Sequence, residues 1–105
     1  MSNYEISLQQ AIDMITRYKA NRPANFPLSE KFDVEAINKL ISPENCKYLR
    51  IYYGMKDDME VHAILVAANA DDEDLLPSDE TDNVIVEDSL RCPPVCPPPS
   101  PLNGE

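Results

Sequence analysis

Two runs of apolar residues with a charged break between them fix the middle of this chain. Lys47 to Ala68, KYLRIYYGMKDDMEVHAILVAA, reads as two β-strands joined by a turn. Along the first run Leu49, Ile51 and Tyr53 alternate with Tyr48, Arg50 and Tyr52, the period of two of a half-buried strand, and the aromatic and β-branched content suits a pleated surface. The second run, Val61 to Ala68, carries no charge apart from one that His62 can take, so both its faces can be covered. Lys56, Asp57 and Asp58 separate the runs, and Gly54 before them marks a place for a bulge or a positive φ. A hairpin over 47–68 is the expectation.

A one-residue slip in register exchanges the two faces of a strand. A loop of even length sets Leu49, Ile51 and Tyr53 beside Ile64, Val66 and His62, whereas an odd one sets them beside Val61, Ala63 and Leu65. The first set is larger and more branched, so the expectation is the even loop, with Leu49, Ile51 and Tyr53 on the buried side. The other face then carries Tyr48, Arg50, Tyr52, Val61 and Leu65, which is too apolar for water and predicts a cover or a partner.

Upstream, Ser7 and Gln10 have the spacing of a capping box, and Leu8, Ala11, Ile12, Met14, Ile15 and Tyr18 fall within an arc of roughly 160° on a helix that Pro23 ends near Asn21. Asp33 is placed to cap a second, shorter helix, with Phe32 and Ile37 as its hydrophobic staple. Val34, Ala36, Ile37, Leu40 and Ile41 form that helix's apolar face, and Pro43 closes it. The fold class expected is α+β: two N-terminal amphipathic helices packed on one face of a small antiparallel sheet, made of the 47–68 hairpin and a possible third strand at 84–86.

Past Ala68 the chain turns acidic, then proline-rich, ending SLRCPPVCPPPSPLNGE, so residues 1–88 are expected to form the α+β domain and 89–105 an extended Pro/Cys-rich tail. The net charge of −10 argues against nucleic acid and anionic membranes as partners, since both recruit lysine and arginine. No run approaches the ~20 apolar residues of a membrane span, and MSNYEISLQQ lacks the regions of a secretory signal, so the expected location is cytoplasmic.

The opening helix, the strand Leu49 to Gly54, the strand Val61 to Val66, and Cys92-Pro-Pro-x-Cys96 followed by Ser100-Pro-Leu-Asn103 together resemble a family of short uncharacterised proteins of Bacteroidota bacteria. The resemblance implies a bacterial protein in which the tail recurs, and it carries no catalytic residues.

Cys92, Cys96, Cys46 and His62 could supply four zinc ligands, although C-x3-C is not the commoner C-x2-C spacing; the ordinary reading is a small buried cysteine and a strand histidine. Cys92 and Cys96 could act as a dithiol switch, although the stiff prolines between them place neither sulfur at a helix N-terminus, or close a disulfide local to the tail. Arg91, Pro94 and Pro97 match the spacing of polyproline ligands, and Asp71 to Asp74 form an acidic turn without the glycine and distal glutamate of a calcium loop. No nucleophile, phosphate loop or buried carboxylate pair points to an enzyme. The reading is a non-catalytic interaction module, binding a protein partner or a second copy through Tyr48, Arg50, Tyr52 and Leu65 or through Pro94 and Pro97 of the tail. A metal- or redox-responsive protein using Cys92 and Cys96, and a carrier of a C-terminal peptide that is modified or exported, are the alternatives.

Overall fold

A computed structural model describes residues 4–87 and 89–103. The chain runs α1 (Leu8–Asn21), β1 (Ser29–Lys31), α2 (Val34–Leu40), β2 (Tyr48–Met55), β3 (Val61–Ala68), β4 (Ile85–Val86), β5 (Leu90–Cys92) and a 3-10 turn, Pro101–Asn103. The class is α+β, with two antiparallel sheets: β2-β3-β4 and the pair β1-β5.

Both helices start where their caps dictate. Ser7 N–H donates to Gln10 Oε1 at 2.8 Å and Gln10 N–H to Ser7 Oγ at 3.0 Å, closing the capping box of α1. Asp33 accepts from Glu35 N–H at 2.8 Å at the start of α2. Phe32 and Ile37, the staple pair, pack on a core of Leu40, Leu65, Ala67 and Leu75 that Cys46, Val84 and Val86 complete.

The hairpin register is odd, which reverses the expected pairing: Leu49 faces Ala67, Ile51 faces Leu65, Tyr53 faces Ala63 and Met55 faces Val61. The turn chemistry is the reason. Lys56 N–H donates to Glu60 O at 3.1 Å and Met59 N–H to Lys56 O at 2.8 Å, leaving a three-residue loop whose last member, Met59, has φ 68°. The left-handed residue is therefore Met59 and not Gly54, which sits inside β2 opposite His62. A Cβ at Gly54 would lie 2.7 Å from Ile64 Cδ1, so the glycine makes room for a neighbouring side chain.

Helix α1 is not packed along the sheet as expected, and meets it at its Tyr53 end, where Tyr18 lies near Tyr53 and Val61. Its neighbour is the turn Pro101–Asn103, onto which Lys19 Nζ also donates at 3.1 Å to Asn103 O, while α2 lies against β4. Leu49, Ile51 and Tyr53, expected beneath the helices, are 44, 49 and 75% exposed. The physical cause is that both faces of β3 are covered and the cover stops there, so β2 extends beyond it as an outer strand. The segment at 84–86 does supply the third strand, with Val86 opposite Leu65 and Ile85 opposite Val66. The last residues are not simply extended: Leu90–Cys92 pairs with Ser29–Lys31, and Asn103 closes its own turn by accepting from Ser100 N–H at 2.9 Å and donating to Pro98 O at 2.7 Å.

Candidate functional site

The outer edges of β2 and β3 differ in how their backbone groups are satisfied. Along β3, Val61 N–H donates to Asn25 O at 2.9 Å, Ala63 N–H to the Glu30 carboxylate at 3.1 Å, and Arg91 Nε to Val61 O at 3.1 Å. Strand β4 takes Leu65 and Val66, and Leu75 N–H reaches Ala67 O at 2.8 Å. The side chains of Glu30 and Arg91 thus stand in for the strand that β4 is too short to provide. Both are nearly buried, and Arg91 is also paired with Glu60.

Strand β2 has no counterpart to this. It is the terminal strand of its sheet, and no backbone hydrogen bond among the described residues reaches its outer edge. The Lys56–Glu60 bond fixes the alternation: the even residues from Tyr48 to Gly54 turn their N–H and C=O toward β3, so Leu49, Ile51, Tyr53 and Met55 turn theirs outward. Native sheets usually blunt such edges with proline, a bulge, a charge or brevity. Here eight residues carry one charge, that of Arg50, and no proline.

That charge is held in place. Arg50 pairs with both Asp72 and Asp74, donates to Asp72 O at 3.3 Å, and shares Asp74 with the Tyr52 hydroxyl. The guanidinium is held above its ordinary pKa, first by the Tyr52 hydroxyl and then by the Asp74 and Asp72 carboxylates. Asn69 shapes the acidic turn, its Oδ1 accepting from Asp71 N–H at 3.0 Å and Glu73 N–H at 2.9 Å. Asp72 and Asp74 are the site residues that sequence reasoning missed. The signal available was an isolated strand arginine with an acidic run one strand later.

The other sequence-derived candidates scatter. Tyr48, Arg50 and Tyr52 share one face of β2, but the odd register places Leu65 on the opposite face, 3% exposed in the core, so it cannot belong with them. Pro94 and Pro97 are exposed, whereas Arg91 is spent on Val61 O, Asn25 O and Glu60, so the three do not form a free polyproline ligand. Cys92 and Cys96 are joined in a disulfide. Cys46 directs its thiol to Tyr48 O, and His62 lies 3.3 Å from Glu87 and 3.8 Å from Glu30. Among the described residues, no group of three or more His, Cys, Asp or Glu is placed to hold a metal ion, and no helix is long and apolar enough to cross a membrane.

At the Tyr53 end of β2, Tyr18, Phe26, Pro27, Leu28, Tyr53 and Val61 line an open cavity of about 360 Å³. The Tyr18 hydroxyl donates to Pro27 O at 2.5 Å, and burial raises its pKa above the ordinary tyrosine value against the lowering effect of Arg22 and Arg91. Comparison of the chain with protein-family models, with curated proteins and with solved structures gave no match.

Proposed function

We propose that this protein is a non-catalytic interaction module that receives an extended strand on the outer edge of β2. The observation that carries the reading is the contrast between the two edges: β3 is closed by Asn25, Glu30, Arg91 and Leu75, while on the outer edge of β2 the backbone groups of Leu49, Ile51, Tyr53 and Met55, whose side chains are exposed, meet no backbone partner among the described residues. Strand addition uses such an edge, with main-chain bonds giving affinity and alternate side chains giving selectivity. Arg50 and Tyr52, fixed by Asp72 and Asp74, add a rigid polar rim on the other face, of residue types enriched at interfaces.

The test is photo-crosslinking in cells that express the protein, from a reactive residue replacing Tyr53 and, as control, Asp13 on α1. Polypeptide adducts formed from position 53 and not from 13 support the reading. Equal yields, or none, refute it.

A second reading rests on the Cys92–Cys96 bond: a redox-responsive protein in which reduction loosens β5 from β1. In a cytoplasm that keeps thiols reduced, the pair would be open for much of the time. Exchange rates in β1 and β5 that do not differ between oxidised and reduced protein would remove this reading.

A further inference from the structure

We infer that the strand received by β2 is β2 of a second copy, the two running antiparallel about a two-fold axis with Ile51 opposite Ile51. This rests on the reading of β2 as an interaction edge and specifies its occupant.

Two identical strands can pair through their outer edges only in registers that set outward-facing residues against one another, so odd positions must meet odd positions. Four such registers lie near the middle of Tyr48–Met55, and they differ in where they send Arg50. Centring on Arg50 sets the two guanidinium groups opposite each other, a like-charge pair that destabilises a sheet. Centring on Tyr53 sets Arg50 against Lys56, again like against like. Centring on Tyr52 puts Arg50 opposite Gly54, which has no side chain to meet it. It also puts Tyr48 opposite Lys56, whose ammonium is already 3.1 Å from Glu87.

The register centred on Ile51 avoids all of these. It sets Arg50 of each copy beside Tyr52 of the other, the guanidinium already charge-balanced by Asp72 and Asp74 and free to stack by its plane on the ring. On the other face it gives Leu49 beside Tyr53 twice and Ile51 beside Ile51, so the half-exposed apolar row becomes a continuous strip. Seven residues of each strand, Tyr48 to Gly54, face one another. The two three-stranded sheets then form one sheet of six strands, with β2 of both copies at its centre and no free edge there.

The contact is small beside a standard interface of about 20–30 residues a side, and two copies of charge −10 repel, so the association is weak and reversible. A covalent trap reads it without requiring a tight dimer. Ile51→Cys, Tyr52→Cys and Tyr53→Cys are each made in a Cys46→Ser background, which leaves the Cys92–Cys96 disulfide intact, and are oxidised mildly at matched concentration. Facing Ile51 positions have Cα atoms about 5.5 Å apart, within the limit of about 7 Å for a disulfide. The two Tyr53 positions are four residues out of step, roughly 14 Å along the strand. The expected result is that Ile51→Cys forms covalent dimer at least tenfold faster than Tyr53→Cys and faster than Tyr52→Cys. Fastest trapping at Tyr52, equal trapping at all three, or no dimer overturns the inference. If no dimer traps while position 53 still crosslinks to a different polypeptide in cells, only the second copy is wrong; if neither occurs, the interaction edge fails with it. Circular dichroism matching the parent shows that each variant is folded.

Discussion

Ile51 and Leu65 face each other across the hairpin, yet Leu65 is 3% exposed and Ile51 49%. One residue anchors the core under α2 and the other lies beyond it, although both are branched, apolar and on the same sheet face. Leu65→Ala is therefore expected to cost about 2–5 kcal/mol of stability, the range for emptying a packed core site. Ile51→Ala is expected to cost at most about 1 kcal/mol in dilute solution. Denaturant unfolding of both variants at low concentration checks the contrast; equal losses would mean that the cover reaches β2.

Met59 holds a left-handed φ of 68° in the hairpin loop, a conformation that costs a residue with a Cβ about 1–2 kcal/mol. Met59→Gly is expected to raise stability by up to about 1 kcal/mol, the gain being reduced by the greater freedom of glycine in the unfolded chain. Thermal unfolding measures it, and a lower midpoint would show that the Met59 side chain contributes contacts of its own.

The helices, their caps and the third strand were legible from Ser7, Gln10, Asp33, Pro23 and the apolar periodicity, because those signals are local. The hairpin register was not. It depends on a loop whose left-handed residue is a methionine, where sequence reasoning looks for glycine or asparagine, and Gly54 drew attention to the wrong position. The Arg50 clamp was hidden for a different reason: Asp72 and Asp74 lie 22 and 24 residues away, and no local pattern pairs a strand arginine with carboxylates at that separation. The docking of α1 on the last residues depends on pairings across the whole chain, such as Lys19 with Asn103, which no local pattern announces.

Cys92 ends β5, is buried, and accepts from Leu28 N–H at 2.8 Å through its carbonyl, so the disulfide ties the second sheet to the turn that follows it. The loop closed by Cys92 and Cys96 is short, placing the loss on reduction at roughly 2 kcal/mol or less by the loop-entropy argument. Hydrogen exchange of the reduced protein is expected to quicken at Leu28 and Val95, whose N–H groups bond to Cys92 O and Arg91 O, before it quickens in β3. Uniform quickening would mean that the two sheets unfold as one unit.

Tyr18 gives a pH signature. Burial favours its neutral form, so its folded-state pKa lies above the unfolded value. The stabilisation is fully present below about pH 10 and is lost as pH rises through the higher folded-state value. Tyr18→Phe is expected to flatten the alkaline fall in stability while removing the bond to Pro27 O. Parent and variant with the same alkaline slope would assign the fall to other groups.

The free edge of β2 is tested most directly by residue-resolved hydrogen exchange in dilute and in concentrated protein. In dilute solution the amides of Leu49, Ile51, Tyr53 and Met55 are expected to exchange fast and those of Arg50, Tyr52 and Gly54 slowly, because only the second set points at β3. On concentration Leu49, Ile51 and Tyr53 become protected while Arg50 and Tyr52 stay unchanged. Outer amides already protected in dilute protein, or exchanging at the same rate at every concentration, would contradict the account.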